Sequence, residues 1–240
     1  MALEAIATAY RANNQYGDAA QAYTELSARF ANQLDHFPAD DAALARILNG
    51  TPPQTISWRG PVKLKTSRNP IGSRVAELEV NGVRGPWLLD TGANQSVVSR
   101  TFADRLGVTL LAGAASVGSG LTGRQSALRV AVLPTMRVGG ATLTNVVLLI
   151  LDDENLRVGS GPDAYQISAV LGYPILEALG VVTFTRDEFL AGEGQSQLLD
   201  EDVQLWRAAQ DSMTLPDRCL VLRRRRHDVS ASLCLCGPRR

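Results

Sequence analysis

A mainly β domain with a helical arm at its start is the fold class this sequence predicts, and three observations predict it. Alanine-rich residues 1–35 place apolar side chains at helical spacing: Leu3, Ile6, Ala7 and Tyr10, then Ala19, Tyr23, Leu26 and Phe30. From Pro61 the pattern switches to period two, with Val62 and Leu64, then Ala76, Leu78 and Val80 on one face and Glu77 and Glu79 on the other. Between the two lies Asn49-Gly50-Thr51-Pro52-Pro53, the composition of a boundary. The expected organisation is a helical arm over 1–50, a linker over 51–60, a β domain over 61–192, and over 193–240 a helix followed by a basic tail without fixed structure.

Length and charge bound the function. At 240 residues one full domain plus extras is expected, and the formal net charge is zero, so the whole-chain balance implies neither nucleic acid nor a membrane surface as partner. The zero conceals an asymmetry: Pro216 to Arg240 carries Arg218, Arg223, Arg224, Arg225, Arg226, Arg239 and Arg240 against Asp217 and Asp228. A lone basic run of this kind reads as a solvated tail. No apolar run spans a bilayer, and Met1 to Ala7 lacks the basic start and continuous apolar stretch of a secretory signal, so the chain as given reads as cytoplasmic, and as periplasmic or secreted if its start is truncated. All three cysteines (Cys219, Cys234 and Cys236) fall after residue 218, which leaves the β domain without a disulfide framework.

The elements follow in order. Asn13 to Asp18 turns the chain between two helices. A third helix runs from Asp40 or Asp41, read as caps, to Leu48. Asn81-Gly82 forms a hairpin turn into Trp87-Leu88-Leu89, a buried strand that delivers Asp90. Gly92 is expected to supply a turn conformation that a Cβ resists, and Ser96 to Ser99 leads away as another strand. A carboxylate leaving a buried strand is partly desolvated, which lets its surroundings tune its proton affinity for acid/base work on water. Thr101 to Leu106 reads as a short helix broken by Gly107. Gly113, Gly118, Gly120 and Gly123 then mark a glycine-rich hairpin tip. Met136 to Val138, a turn at Gly139-Gly140 and the apolar run Leu143 to Leu151 continue the sheet.

Asp152-Asp153-Glu154 reads as a solvated loop rather than a metal site, and Cys219, His227, Cys234 and Cys236 lack the paired spacing of zinc ligands. Gly159 to Asp163 is a further loop. Ile167 to Leu171 re-enters the core, and Tyr173 to Leu179 is a helix with Pro174 in its first turn and Gly180 at its end. Val181 to Thr185 is the closing strand, and Leu198 to Ala209 has the spacing of a helix.

Asp90-Thr91-Gly92-Ala93 in its apolar frame resembles the active-site loop of the retropepsin-like aspartic proteases, of bacterial type. Val170-Leu171-Gly172 followed by a short helix resembles that family's second signature. The resemblance implies a retropepsin-like closed antiparallel β domain (the acid protease fold) and an endopeptidase that needs no cofactor or metal. Asp90 would be catalytic, with Thr91, Gly92 and Ala93 supporting the loop and Val170, Leu171 and Gly172 carrying it. Gly118, Ser119, Gly120 and Leu121 would form the substrate flap.

The mechanism so implied needs two aspartates sharing a proton, one acting as base on water while the other donates to the scissile carbonyl. The chain has one Asp-Thr-Gly triplet, since Asp211-Ser212-Met213 lacks the glycine. The implied state is therefore a homodimer that binds peptide or protein substrate as an extended strand. Alternatives are a silent retropepsin-like dimerisation or peptide-binding module, one half of a tandem protease, and a helical scaffold. The arm itself resembles one tetratricopeptide repeat, with Ala7, Tyr10, Ala19, Tyr23 and Leu26 at the small and aromatic positions.

Overall fold

A computed structural model describes residues 2–30, 37–113, 115–118, 125–192 and 221–222. The arm consists of α1 (Ala2–Ala12), α2 (Tyr16–Phe30) and α3 (Ala39–Ile47). Ala7, Ala19, Ala22, Tyr23, Leu26, Ala42 and Ala45 form its own core. Small side chains let the helices approach closely, and Tyr23 fills the remaining space. The aspartates expected to cap α3 lie inside its first turn, because Pro38 occupies the N-cap position and supplies no side-chain hydrogen bond. Their charge there suits the positive end of the helix.

Among the described residues twelve strands form one sheet. They are β1 (Thr55–Trp58), β2 (Val62–Arg68), β3 (Arg74–Val80), β4 (Val83–Leu89), β5 (Ser96–Ser99), β6 (Ala115–Gly118), β7 (Gln125–Val138), β8 (Ala141–Leu151), β11 (Ala169–Leu171), β12 (Val182–Phe184), β13 (Glu188–Ala191) and β14 (Val221–Leu222). The short pair β9 (Arg157–Val158) and β10 (Tyr165–Gln166) stands apart. Strand order is β14-β12-β13-β2-β3-β4-β11-β5-β8-β7-β6, with β1 paired to β8. Two further helices, α4 (Arg100–Leu106) and α5 (Tyr173–Ala178), follow β5 and β11.

The β3–β4 hairpin turns on Asn81 and Gly82, both at positive φ (51° and 76°). Val80 and Val83 close the ladder, as a two-residue turn requires. Alternation then sets the faces. Ala76, Leu78, Val80, Trp87 and Leu89 enter the main core, while Glu77 and Glu79 face solvent.

Three features depart from the sequence reading. The sheet is mixed, because β11 pairs in parallel with β4 and β5 in parallel with β8. The stretch read as a linker contains β1, and Gln54 donates to the Pro174 carbonyl (3.1 Å) while Asn145 donates to that of Pro53 (3.1 Å). β13, not anticipated, pairs with both β12 and β2 and so joins the closing strand to the rest of the sheet. The expected helix over 198–209, the basic run and all three cysteines lie outside the described residues.

Candidate active site

Asp90 leaves the end of β4, and the chain returns along β5 in the opposite sense. β11 fills the gap between these strands, parallel to β4 (Ala169↔Trp87, Leu171↔Leu89) and antiparallel to β5 (Ala169↔Val98, Val170↔Val97). A strand from much later in the chain thus wedges the loop open from below. The Asp90 amide donates to the Leu171 carbonyl (3.1 Å), which fastens the start of the loop to that wedge.

The loop's far side is fastened by Gly172. Its amide donates to Ser96 Oγ (3.0 Å), a hydroxyl on a residue 1 % exposed, and the Tyr173 amide donates to the Ala93 carbonyl (2.8 Å). A Cβ at 172 would lie 2.5 Å from the Gln95 carbonyl oxygen and 2.9 Å from that of Ala93, so only glycine permits this approach. Val170 and Leu171 divide between two cores: Leu171 joins the main one. Val170 joins Val75, Leu88 and Ile167 on the opposite face, with Ala93 and Val97 packed against them.

Asp90 itself is half-buried, and its Oδ1 accepts from the Gly92 amide (2.8 Å). This two-residue closure aims the carboxylate and engages one of its oxygens. Here one expectation is corrected. Gly92 does not adopt the left-handed region; a Cβ there would sit 3.3 Å from Asp90 Oδ1, a tight contact. Thr91 is half-buried beside it.

The structure therefore brings together Asp90, Thr91, Gly92, Ala93, Val170, Leu171 and Gly172. Gly118 ends β6 opposite Gln125, with the β5–β8, β8–β7 and β7–β6 ladders between it and the loop. Ser119, Gly120 and Leu121 lie outside the described residues. Sequence reasoning missed Ser96, whose signal was a hydroxyl set into an apolar Val97-Val98 strand. It also missed Gln95, which carries no signal of its own.

Elsewhere, a cleft of about 280 Å³ lies between the α1–α2 turn, Gln54 and α5, and a second of about 100 Å³ lies beside α4; Asp90 lines neither. The described residues contain no cluster of side chains able to hold a metal. Asp153 lies in a 3₁₀ turn after β8 and accepts from the Thr101 amide (3.1 Å) and hydroxyl, buttressing the start of α4.

Residues 76–175 match the family model described as aspartyl protease, a span that includes both the Asp90 loop and Val170-Leu171-Gly172. Among solved structures the chain is similar to a retropepsin-like aspartic protease from Rickettsia conorii. The identity is 18 %, with 57 % of this chain and 92 % of that chain covered and a TM-score of 0.36. It is also similar to basic 7S globulin from soybean, at 14 % identity over 56 % of this chain and 52 % of that one, with a TM-score of 0.37. No curated protein matches the chain.

Proposed function

We propose that this chain is a retropepsin-like aspartic endopeptidase whose active centre is assembled from two copies, with Asp90 contributed by each. The observation that carries the reading is the Asp90 loop. A half-buried carboxylate is aimed by its bond to Gly92 and fixed from below by β11 and Gly172, within the span that matches the aspartyl protease model. Such a loop holds a carboxylate rigidly, which general acid/base work on water requires.

One loop supplies one carboxylate, and the chemistry uses two. Paired across a two-fold axis, the carboxylates share a proton because like charges so close do not both ionise, and one activates water while the other protonates the scissile carbonyl. Thr91 would brace the paired loops. The β6–β7 hairpin, from Gly118 toward its tip, would cover an extended peptide or protein substrate. The arm is read as one tetratricopeptide-like repeat in this scheme, and neither nucleic acid nor a membrane is a partner.

The test is cleavage of denatured casein at acidic and neutral pH by the wild-type chain and by Asp90→Asn, with the dimer measured by light scattering. Asparagine keeps an oxygen to accept from Gly92, so the variant is expected to fold, dimerise and cut nothing. Equal cleavage by both proteins removes Asp90 from the chemistry. A dimer that cuts nothing in either form supports the silent binding module instead.

A further inference from the structure

The strand β6 is the last in the sheet order, held to β7 by the four pairs from Ala115↔Leu128 to Gly118↔Gln125. A short edge strand of this kind is weakly held by its ladder alone. What lies against it is the arm. Asp40, in the first turn of α3, accepts a hydrogen bond from the Ser116 hydroxyl of β6. The neighbouring Asp41 pairs with Arg11 of α1 at 3.2 Å. At the other end of α3, Ile47 is pressed against Gly113, where φ is +122° and a Cβ would come within 2.7 Å of Ile47 Cγ1. Between these points Tyr16, Leu44 and Leu48 pack with Leu128 and Val130 of β7, and Ala115 of β6 lies against the same cluster. Both strands of the hairpin stem therefore rest on the arm.

We infer that Asp40 is a positioning residue for the β6–β7 hairpin: through its bond to Ser116, α3 sets where the hairpin stem stands and thereby how readily a peptide reaches Asp90. The coupling of arm to hairpin stands on the contacts above, and its effect on substrate rests on the endopeptidase reading. A hydrogen bond to a carboxylate is stronger than one between neutral groups, so losing it loosens β6, the last of the described strands in the sheet order, while the apolar cluster keeps the arm docked. The consequence belongs to substrate entry rather than to the chemical step.

Two measurements on the full-length chain test this: amide hydrogen exchange in 115–118 and 125–130, and cleavage of labelled casein. Ser116→Ala is expected to speed exchange in both strands about tenfold, the size of one lost hydrogen bond. Apparent KM is expected to rise about three- to tenfold while kcat stays within about twofold, because uniform binding is lost rather than transition-state stabilisation. Ser116→Thr keeps the hydroxyl and restores both values. Asp40→Ala is expected to show at least the effect of Ser116→Ala, since it also removes a charge from the first turn of α3, and the double variant is no worse than the worse single, as for partners in one interaction. Unchanged exchange in the single variants, or effects that simply add, overturns the coupling. Faster exchange at constant KM, or a fall in kcat, overturns the role in substrate entry. A wild-type chain that leaves casein intact sinks the endopeptidase reading, and the exchange arms still decide the coupling.

Discussion

Gly172 concentrates in one residue what holds the candidate site together. Its amide satisfies Ser96 and its missing side chain leaves room for the Gln95 and Ala93 carbonyls. Gly172→Ala must push backbone against backbone, since the atoms in the way are carbonyls and not the ends of flexible side chains. The expected cost is about 1–3 kcal/mol of stability, measured by urea unfolding. A loop displaced by about an ångström loses about a hundredfold in peptide cleavage, so activity is expected to fall further than stability does. Retained activity in a destabilised Gly172→Ala protein counts against the clamp.

At the scale of the element, α4 shows how a short helix is held at both ends. Ser99 Oγ accepts from the Phe102 amide (3.2 Å), and Gly107 closes the other end at φ 64°. Both are readable locally, as a serine before an apolar helix and a glycine after it. Asp153 is the non-local part. Hydrogen bonding, first of all from the Thr101 hydroxyl, holds its carboxyl below the usual aspartate range.

A carboxyl with a lowered folded pKa binds fewer protons than it does in the unfolded chain near the ordinary pKa. Its stabilisation is therefore full above the unfolded value of about 3.9 and is lost as pH falls through the folded one. Asp153→Asn is thus expected to lower Tm at neutral pH, with the gap to wild type shrinking below about pH 4 as the wild-type carboxyl protonates. A gap that stays constant to the acid limit shows that the charge of Asp153 contributes nothing.

For the whole molecule the decisive question is the number of copies at work. If each active centre takes Asp90 from two subunits, subunit exchange between equal amounts of wild type and Asp90→Asn leaves about one quarter of all dimers wild type in both subunits. Activity per total protein is then expected to fall to about that quarter. A chain that works alone retains about half, because each wild-type copy is indifferent to its neighbour. Half of a tandem protease, with its second loop elsewhere, is instead expected to cut nothing by itself, so the mixture then has no activity to lose.

Much of the local structure was determined by the sequence itself. The Asn81-Gly82 turn, the helix through Arg105 closed by Gly107, the Pro174 helix ended by Gly180, and the strand leading to Asp90 were all readable, because each depends on the backbone chemistry of consecutive residues. The tertiary structure alone decided that β11 lies between β4 and β5, that Gly92 stays outside the left-handed region, and that α3 lies against β6. These depend on register and approach between segments far apart in the chain. A periodic pattern states which side of a strand is apolar, but it does not say which other strand that side will meet.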